Sequence, residues 1–139
     1  MILYHVSVNL DHDGEFFPDI PDSAFYDDEE DSITPRICFS DSINGCLGSI
    51  PDGGRGLEDY ISSVGSKFKV FILDTEKYNV RILTPEEIAD RVPDALIHRE
   101  YWVLDPITIN EYMIIDIKDF TCITETGAIE NLEYEIVTL

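Results

Sequence analysis

Arg36-Ile37-Cys38-Phe39-Ser40-Asp41-Ser42 is the stretch from which the fold is read. It opens as a short apolar run and passes at once into three residues of the kind that cap helices. The expectation is a strand over 36–39 entering a helix that is capped by Ser40 or Asp41 and runs to about Ile50. Upstream, Ile2, Tyr4, Val6 and Val8 alternate with Leu3, His5 and Ser7, the period-two signature of a strand over 2–8. Downstream, 51–56 reads as a Pro/Gly loop and 57–64 as a short helix, followed by strands over 67–74 and 79–83. Thr84-Pro85-Glu86-Glu87 is a helix start, with a capping residue, proline at the first position and acids in the first turn. That helix is expected to end near Arg91, before Pro93. The last third reads as strands over 98–104, 112–117, 120–124 and 132–137, with Gly127 in the final hairpin turn. Strands outnumber helices, and the helices fall between the early strands. The expected fold is α+β, a mainly antiparallel sheet with two or three short helices.

With 139 residues the chain is expected to form one domain over 1–139, and its 44% apolar content excludes a disordered polymer. No apolar run approaches the ~18 residues of a membrane helix, and no basic signal-peptide stretch opens the sequence, so a cytoplasmic protein is expected. Between the first two strands lies a long polar loop, 9–34, in which Phe16, Phe17, Ile20, Phe25 and Tyr26 are expected to fold parts back onto the body.

Charge is the abnormal feature. Twenty-nine acids against nine bases give a formal charge of −20. Residues 1–35 hold ten of the acids, Asp27-Asp28-Glu29-Glu30-Asp31 among them, and no Lys or Arg. Such a surface argues against direct binding of nucleic acid through phosphate contacts and against an anionic membrane. It suits a protein partner with a basic surface, or simple solubility.

Most standard motifs are absent. The sequence has no phosphate-binding G-x-x-x-x-G-K-[ST], no G-x-G-x-x-G, no G-x-S-x-G and no H-E-x-x-H. Gly53-Gly54-Arg55-Gly56 matches a phosphate loop in composition only. His5, His12 and His98 lack metal-ligand spacing, and 27–31 lacks the glycine and twelfth-position Glu of a calcium loop, so no metal is expected. Cys38, Cys46 and Cys122 form no C-x-x-C pair and fit reduced thiols, with Cys38 packed in the core.

Three segments carry more together than apart: Leu3-Tyr4-His5-Val6-Ser7, the stretch 36–42, and Arg99-Glu100-Tyr101-Trp102-Val103-Leu104-Asp105-Pro106-Ile107, a strand with Glu at its start followed by another strand. Their order resembles the ADP-ribosyltransferase fold, in the branch of the diphtheria-type toxins and the poly(ADP-ribose) polymerases. That branch has a His-Gly-Ser/Thr strand, a Gly-Ile-Tyr-Phe strand entering a helix, and a late Glu-Tyr-x-Val strand. The resemblance covers about 21 residues and implies NAD as substrate, with ADP-ribose passed to a macromolecular target. It implies that His5 bonds a ribose hydroxyl and that the Val6 backbone and Ser7 hydroxyl face the nicotinamide amide. Glu100 would accept a hydrogen bond from the 2′-hydroxyl of the nicotinamide ribose, so His5 and Glu100 are the implied catalytic pair. Phe39 and Ser40 border the implied cofactor site, and Phe39, Tyr60 and Tyr101 are candidates to sandwich the nicotinamide. This chain departs from the pattern at Val6 (Gly in the family), Arg36 (Gly) and Cys38 (Tyr). His98 stands where the arginine-modifying branch has the first Glu of Glu-x-Glu.

Two other functions remain open at this point. One is a non-enzymatic acidic inhibitor or adaptor of the phage or mobile-element type, presenting residues 11–31 as a nucleic-acid mimic to a basic protein surface. The other is a nucleotide sponge that uses the cleft without the carboxylate. Each residue also has an ordinary structural role open to it: His5 as a satisfied strand histidine, Glu100 as an exposed strand charge, Ser40 and Ser42 as helix caps. For NAD phosphates to be tolerated by so acidic a chain, Arg36, Arg55 or Arg99 should line the cleft.

Overall fold

The computed structural model describes residues 1–21, 31–92 and 94–138; Phe25, Tyr26 and the acids of 22–30 lie outside them. Nine strands are described: β1 (Ile2–Ser7), β2 (Glu15–Phe16), β3 (Ile37–Ser40), β4 (Lys67–Asp74), β5 (Ile82–Leu83), β6 (Glu100–Val103), β7 (Ile107–Thr108), β8 (Tyr112–Cys122) and β9 (Ile129–Val137). Four helices join them: α1 (Ile43–Gly48), α2 (Gly53–Ser63), α3 (Pro85–Ile88) and α4 (Ala95–His98). Seven strands form one sheet in the order β5-β6-β3-β1-β4-β8-β9, every neighbouring pair antiparallel. The α+β class and the mainly antiparallel sheet are therefore as read from the sequence.

Period-two alternation divides the core between the two faces of this sheet. Leu3, Phe39, Phe71 and Tyr101 point to one face, where Phe16 and Ile109 cover them. Tyr4, Val6, Phe68 and Val70 point to the other, under Leu47 of α1 and Leu57 of α2. Trp102, fully buried, leaves that second face farther along, among Ile88, Val92 and Ala95 of the α3–α4 region. The chain from the polar loop is thus partly folded back. Phe16 is buried and pairs with Ile107 in a two-stranded ribbon, whereas Phe17 stays 69% exposed.

Four departures from expectation bear on the site and its surroundings. The cap of α1 is Ser42, whose hydroxyl accepts from Gly45 N, because Ser40 is buried in the sheet and donates instead to His98 O (2.7 Å). Of the loop expected over 51–56, only Pro51 and Asp52 form a turn, and residues 53–56 are the first turn of α2. A Cβ on Gly54 would overlap the Cys122 side chain, and one on Gly53 (φ +55°) would lie 2.8 Å from Gly127 Cα. Those glycines serve the close approach of α2 to the β8–β9 hairpin, not a turn. The two strands expected over 112–124 are one strand, β8, because irregularities between Ile117 and Thr121 absorb the break in alternation. Finally α4 is a fourth helix, so residue 98 ends a helix and β6 starts only at Glu100.

Asp31 anchors the return of the chain from the undescribed segment. Its carboxylate accepts from the amides of Ile33 and Thr34 and from the Thr34 hydroxyl, and it pairs with Arg91 at 3.6 Å. Burial pushes its pKa up, but these bonds and Arg36 outweigh that, leaving the carboxyl below its usual value. A depressed folded-state pKa gives stability that is complete above the ordinary aspartate value and lost as pH falls through the folded one. Urea midpoints taken from neutral to acid pH are therefore expected to converge for wild type and Asp31→Asn; parallel curves would contradict it. No helix among the described residues is long and apolar enough to cross a membrane.

Candidate functional site

β1 and β3 share the single register pair Tyr4 with Ser40. Beyond it β1 continues along β4 as far as Ser7, while β3 follows β6 over its whole length. The two central strands therefore part, and the gap between them is spanned by one side chain, His5, through Nδ1 to Cys38 O at 2.8 Å. A cavity of about 130 Å³ occupies this split. Because the exposed edge of β1 forms one wall, His5 and Val6 both line it although their side chains leave opposite faces. Phe39, Ser40 and Glu100 line the other wall, and Cys46, Ser49 and Ile50 of the α1 region close it over.

Glu100 reaches the cavity by a sequence of local constraints. His98 ends α4, and Arg99 takes a left-handed conformation (φ +54°) that turns the chain from helix into β6. The Ser40 hydroxyl ties down His98 O, and Ser40 is the cross-strand partner of Glu100. A non-glycine residue held left-handed beside a cavity marks a place where surrounding structure over-determines the backbone. Arg99 is fixed by ion pairs to Asp41 and Glu86.

Two titratable groups in the cavity have unlike environments. Cys38 O can only accept, so His5 Nδ1 carries the hydrogen. Burial lowers the His5 pKa, opposed by that hydrogen bond and helped by nearby His12. At neutral pH the ring is uncharged, with Nε2 as acceptor, between the rings of Phe16 (4.8 Å) and Phe39 (5.6 Å). Burial raises the Glu100 pKa, as does Asp94, against the influence of Cys38 and Arg36. Burial likewise pushes the Cys46 thiol up to about 12, and its Sγ donates to Tyr4 O. Cys38 is raised further still, so neither cysteine supplies a thiolate nucleophile at neutral pH. What remains is one half-buried carboxyl, one neutral imidazole and small hydroxyls. Such a set can stabilise developing positive charge and accept from hydroxyl groups.

Ser7 is not at the cavity: it stands half-buried at the end of β1, and its Oγ accepts from Asn9 N at 3.1 Å. Of the aromatic candidates only Phe39 lines the cavity. Tyr60 packs on Phe68 (5.5 Å), and Tyr101, the cross-strand neighbour of Phe39 on the same face, is buried in the core without lining the cavity. None of the three arginines lines it either. Arg36 donates through Nη1 to Asp31 O and Thr34 O and lies 4.3 Å over Trp102. It borders a neighbouring groove, which shares His5 and Cys38 with the cavity. Arg55 borders a separate depression beside Asp52 and Glu58. Ser49 and Ile50 were not legible as site residues, since nothing in their own neighbourhood signals that α1 crosses the parted strands. No group of three or more His, Cys, Asp or Glu among the described residues is placed to hold a metal.

Comparison with protein-family models, curated proteins and solved structures gives no match.

Proposed function

We propose that the chain is an ADP-ribosyltransferase-like domain that takes NAD at the cleft between β1 and β3 and passes ADP-ribose to a macromolecular acceptor. The observation that carries this reading is a convergence. The three segments that resemble the family lie on three neighbouring strands, β6, β3 and β1, and His5 and Glu100, ninety-five positions apart, line one cavity. Val6, Phe39 and Ser40 line it with them.

The chemistry suits a carboxylate in that position. The bond between the ribose C1′ and the nicotinamide nitrogen breaks, its electron pair leaving with neutral nicotinamide. The ribose becomes an oxocarbenium ion, which ionised Glu100 stabilises while accepting from the 2′-hydroxyl. His5 Nε2 accepts from a second ribose hydroxyl. A nucleophilic oxygen or nitrogen of the acceptor then bonds to C1′ and releases its proton to solvent. A strongly acidic surface favours an acceptor protein with a basic one.

Isothermal titration with NAD tests the reading. The wild type is expected to bind in the micromolar to millimolar range, and His5→Ala to lose that binding while keeping its circular dichroism. No heat from the wild type would remove the proposal. The competing reading, an acidic adaptor for a basic protein, is favoured by the −20 charge. It would show as partner binding that weakens steeply with salt and ignores Glu100→Ala.

A further inference from the structure

We infer that the cleft grips the nicotinamide–ribose end of its ligand without holding phosphate, so that its preferred ligand class is a phosphate-free nucleoside with a neutral or cationic ring. This rests on the nicotinamide–ribose reading above and narrows its ligand. The first argument is size. The cavity, about 130 Å³, is close to the roughly 150 Å³ that accommodates a single benzene ring, and well below the ~300 Å³ at which drug-sized pockets begin. One ring fits inside it, and the phosphates of a dinucleotide would lie outside it.

The second argument is a census of cations. All nine Lys and Arg residues are described, and the residues outside the description contain no Lys, Arg or His. Lys77, Arg81, Arg91, Arg99 and Lys118 are in ion pairs with carboxylates. Lys69 donates to His12 O, and Arg36 is stacked on Trp102 with Nη1 shared between two carbonyls. That leaves Arg55 and Lys67, neither of which lines the cavity. The neighbouring groove sets Asp19 beside its Arg36. The glycines of 53–56 are turned against Cys122, Gly127 and Pro51, not towards the cavity. No Lys or Arg lines the cavity to meet a phosphate attached to the bound ribose, and the field of the protein is strongly negative. Glu100 and the acidic surface, by contrast, attract a cationic ring.

The test is to titrate the intact protein with nicotinamide riboside, its 5′-mononucleotide and NAD at two salt concentrations. At about 10 mM salt, where the screening length is roughly 30 Å, the riboside is expected to bind about tenfold tighter than the mononucleotide. At about 150 mM, where that length is roughly 8 Å, the gap is expected to close as the phosphorylated ligands gain affinity. A phosphorylated ligand that matches the riboside at low salt, or whose binding weakens as salt rises, overturns this inference and leaves the NAD reading in place. Failure of all three to bind overturns both.

Discussion

Glu100→Gln is expected to reduce nicotinamide release from NAD about a hundred- to a thousandfold, the loss typical of one electrostatic group aimed at transition-state charge. The same substitution is expected to raise the unfolding midpoint at neutral pH. Both effects have one cause. Glu100 is mostly buried, and burial raises its pKa, so the ionised form that the proposed chemistry needs is the form the fold disfavours. A raised folded-state pKa means that the stability this group contributes is complete below the ordinary glutamate value and is lost as pH rises through the folded one. Wild type is therefore expected to gain on Glu100→Gln as pH falls from about 8 towards 4, and to trail it at the upper end. Release assays and thermal midpoints on the two proteins check this. Unchanged release would separate the carboxyl from the reacting carbon; a lowered midpoint at neutral pH would make it a structural group.

Trp102→Ala should cost about 3–5 kcal/mol of unfolding free energy, the largest loss expected from any single truncation here. Trp102 has no exposed surface and fills the space between β6 and the α3–α4 region, against Ile88, Val92 and Ala95, with Arg36 stacked over its ring. Its Nε1 has no hydrogen-bond partner. Trp102→Phe thus keeps most of the apolar volume and forfeits no hydrogen bond, and about 1–2 kcal/mol is expected for it. Chemical denaturation of both variants gives the comparison. A loss under about 1 kcal/mol for Trp102→Ala would show that the helices do not depend on this ring. Because Glu100 begins the strand that carries Trp102, NAD affinity is expected to fall in the alanine variant more than in the phenylalanine one.

Much of the sheet was legible because its strands obey simple alternation. Leu3 against Tyr4 and Val6, or Phe68 and Val70 against Phe71, divide between two buried faces as period two requires. The start of α3 was equally plain. Thr84 and Glu87 form the reciprocal capping box that their spacing announces, with Pro85 in the first turn. The glycines of 53–56 misled for a physical reason. Glycine marks both a turn and a close approach, and only the hairpin packed against α2 decides between them. The α4 turn was hidden because four residues carry too little periodicity to oppose the β-rich run that follows.

Composition and near-neighbour pattern account for the class of fold, the two-faced sheet, the −20 charge and the residue types offered for chemistry. Whether those residues meet was decided only by tertiary structure. His5 and Glu100 share a cavity because β1 and β3 part after Tyr4 and Ser40, because a left-handed Arg99 turns the chain into β6, and because α1 closes the gap. Ser7, two residues beyond His5 on the same strand, is left out. Two of the arginines were decided the same way: Arg36 is drawn to the face of Trp102 and Arg99 to the carboxylate of Asp41, partners far along the chain that no local pattern encodes.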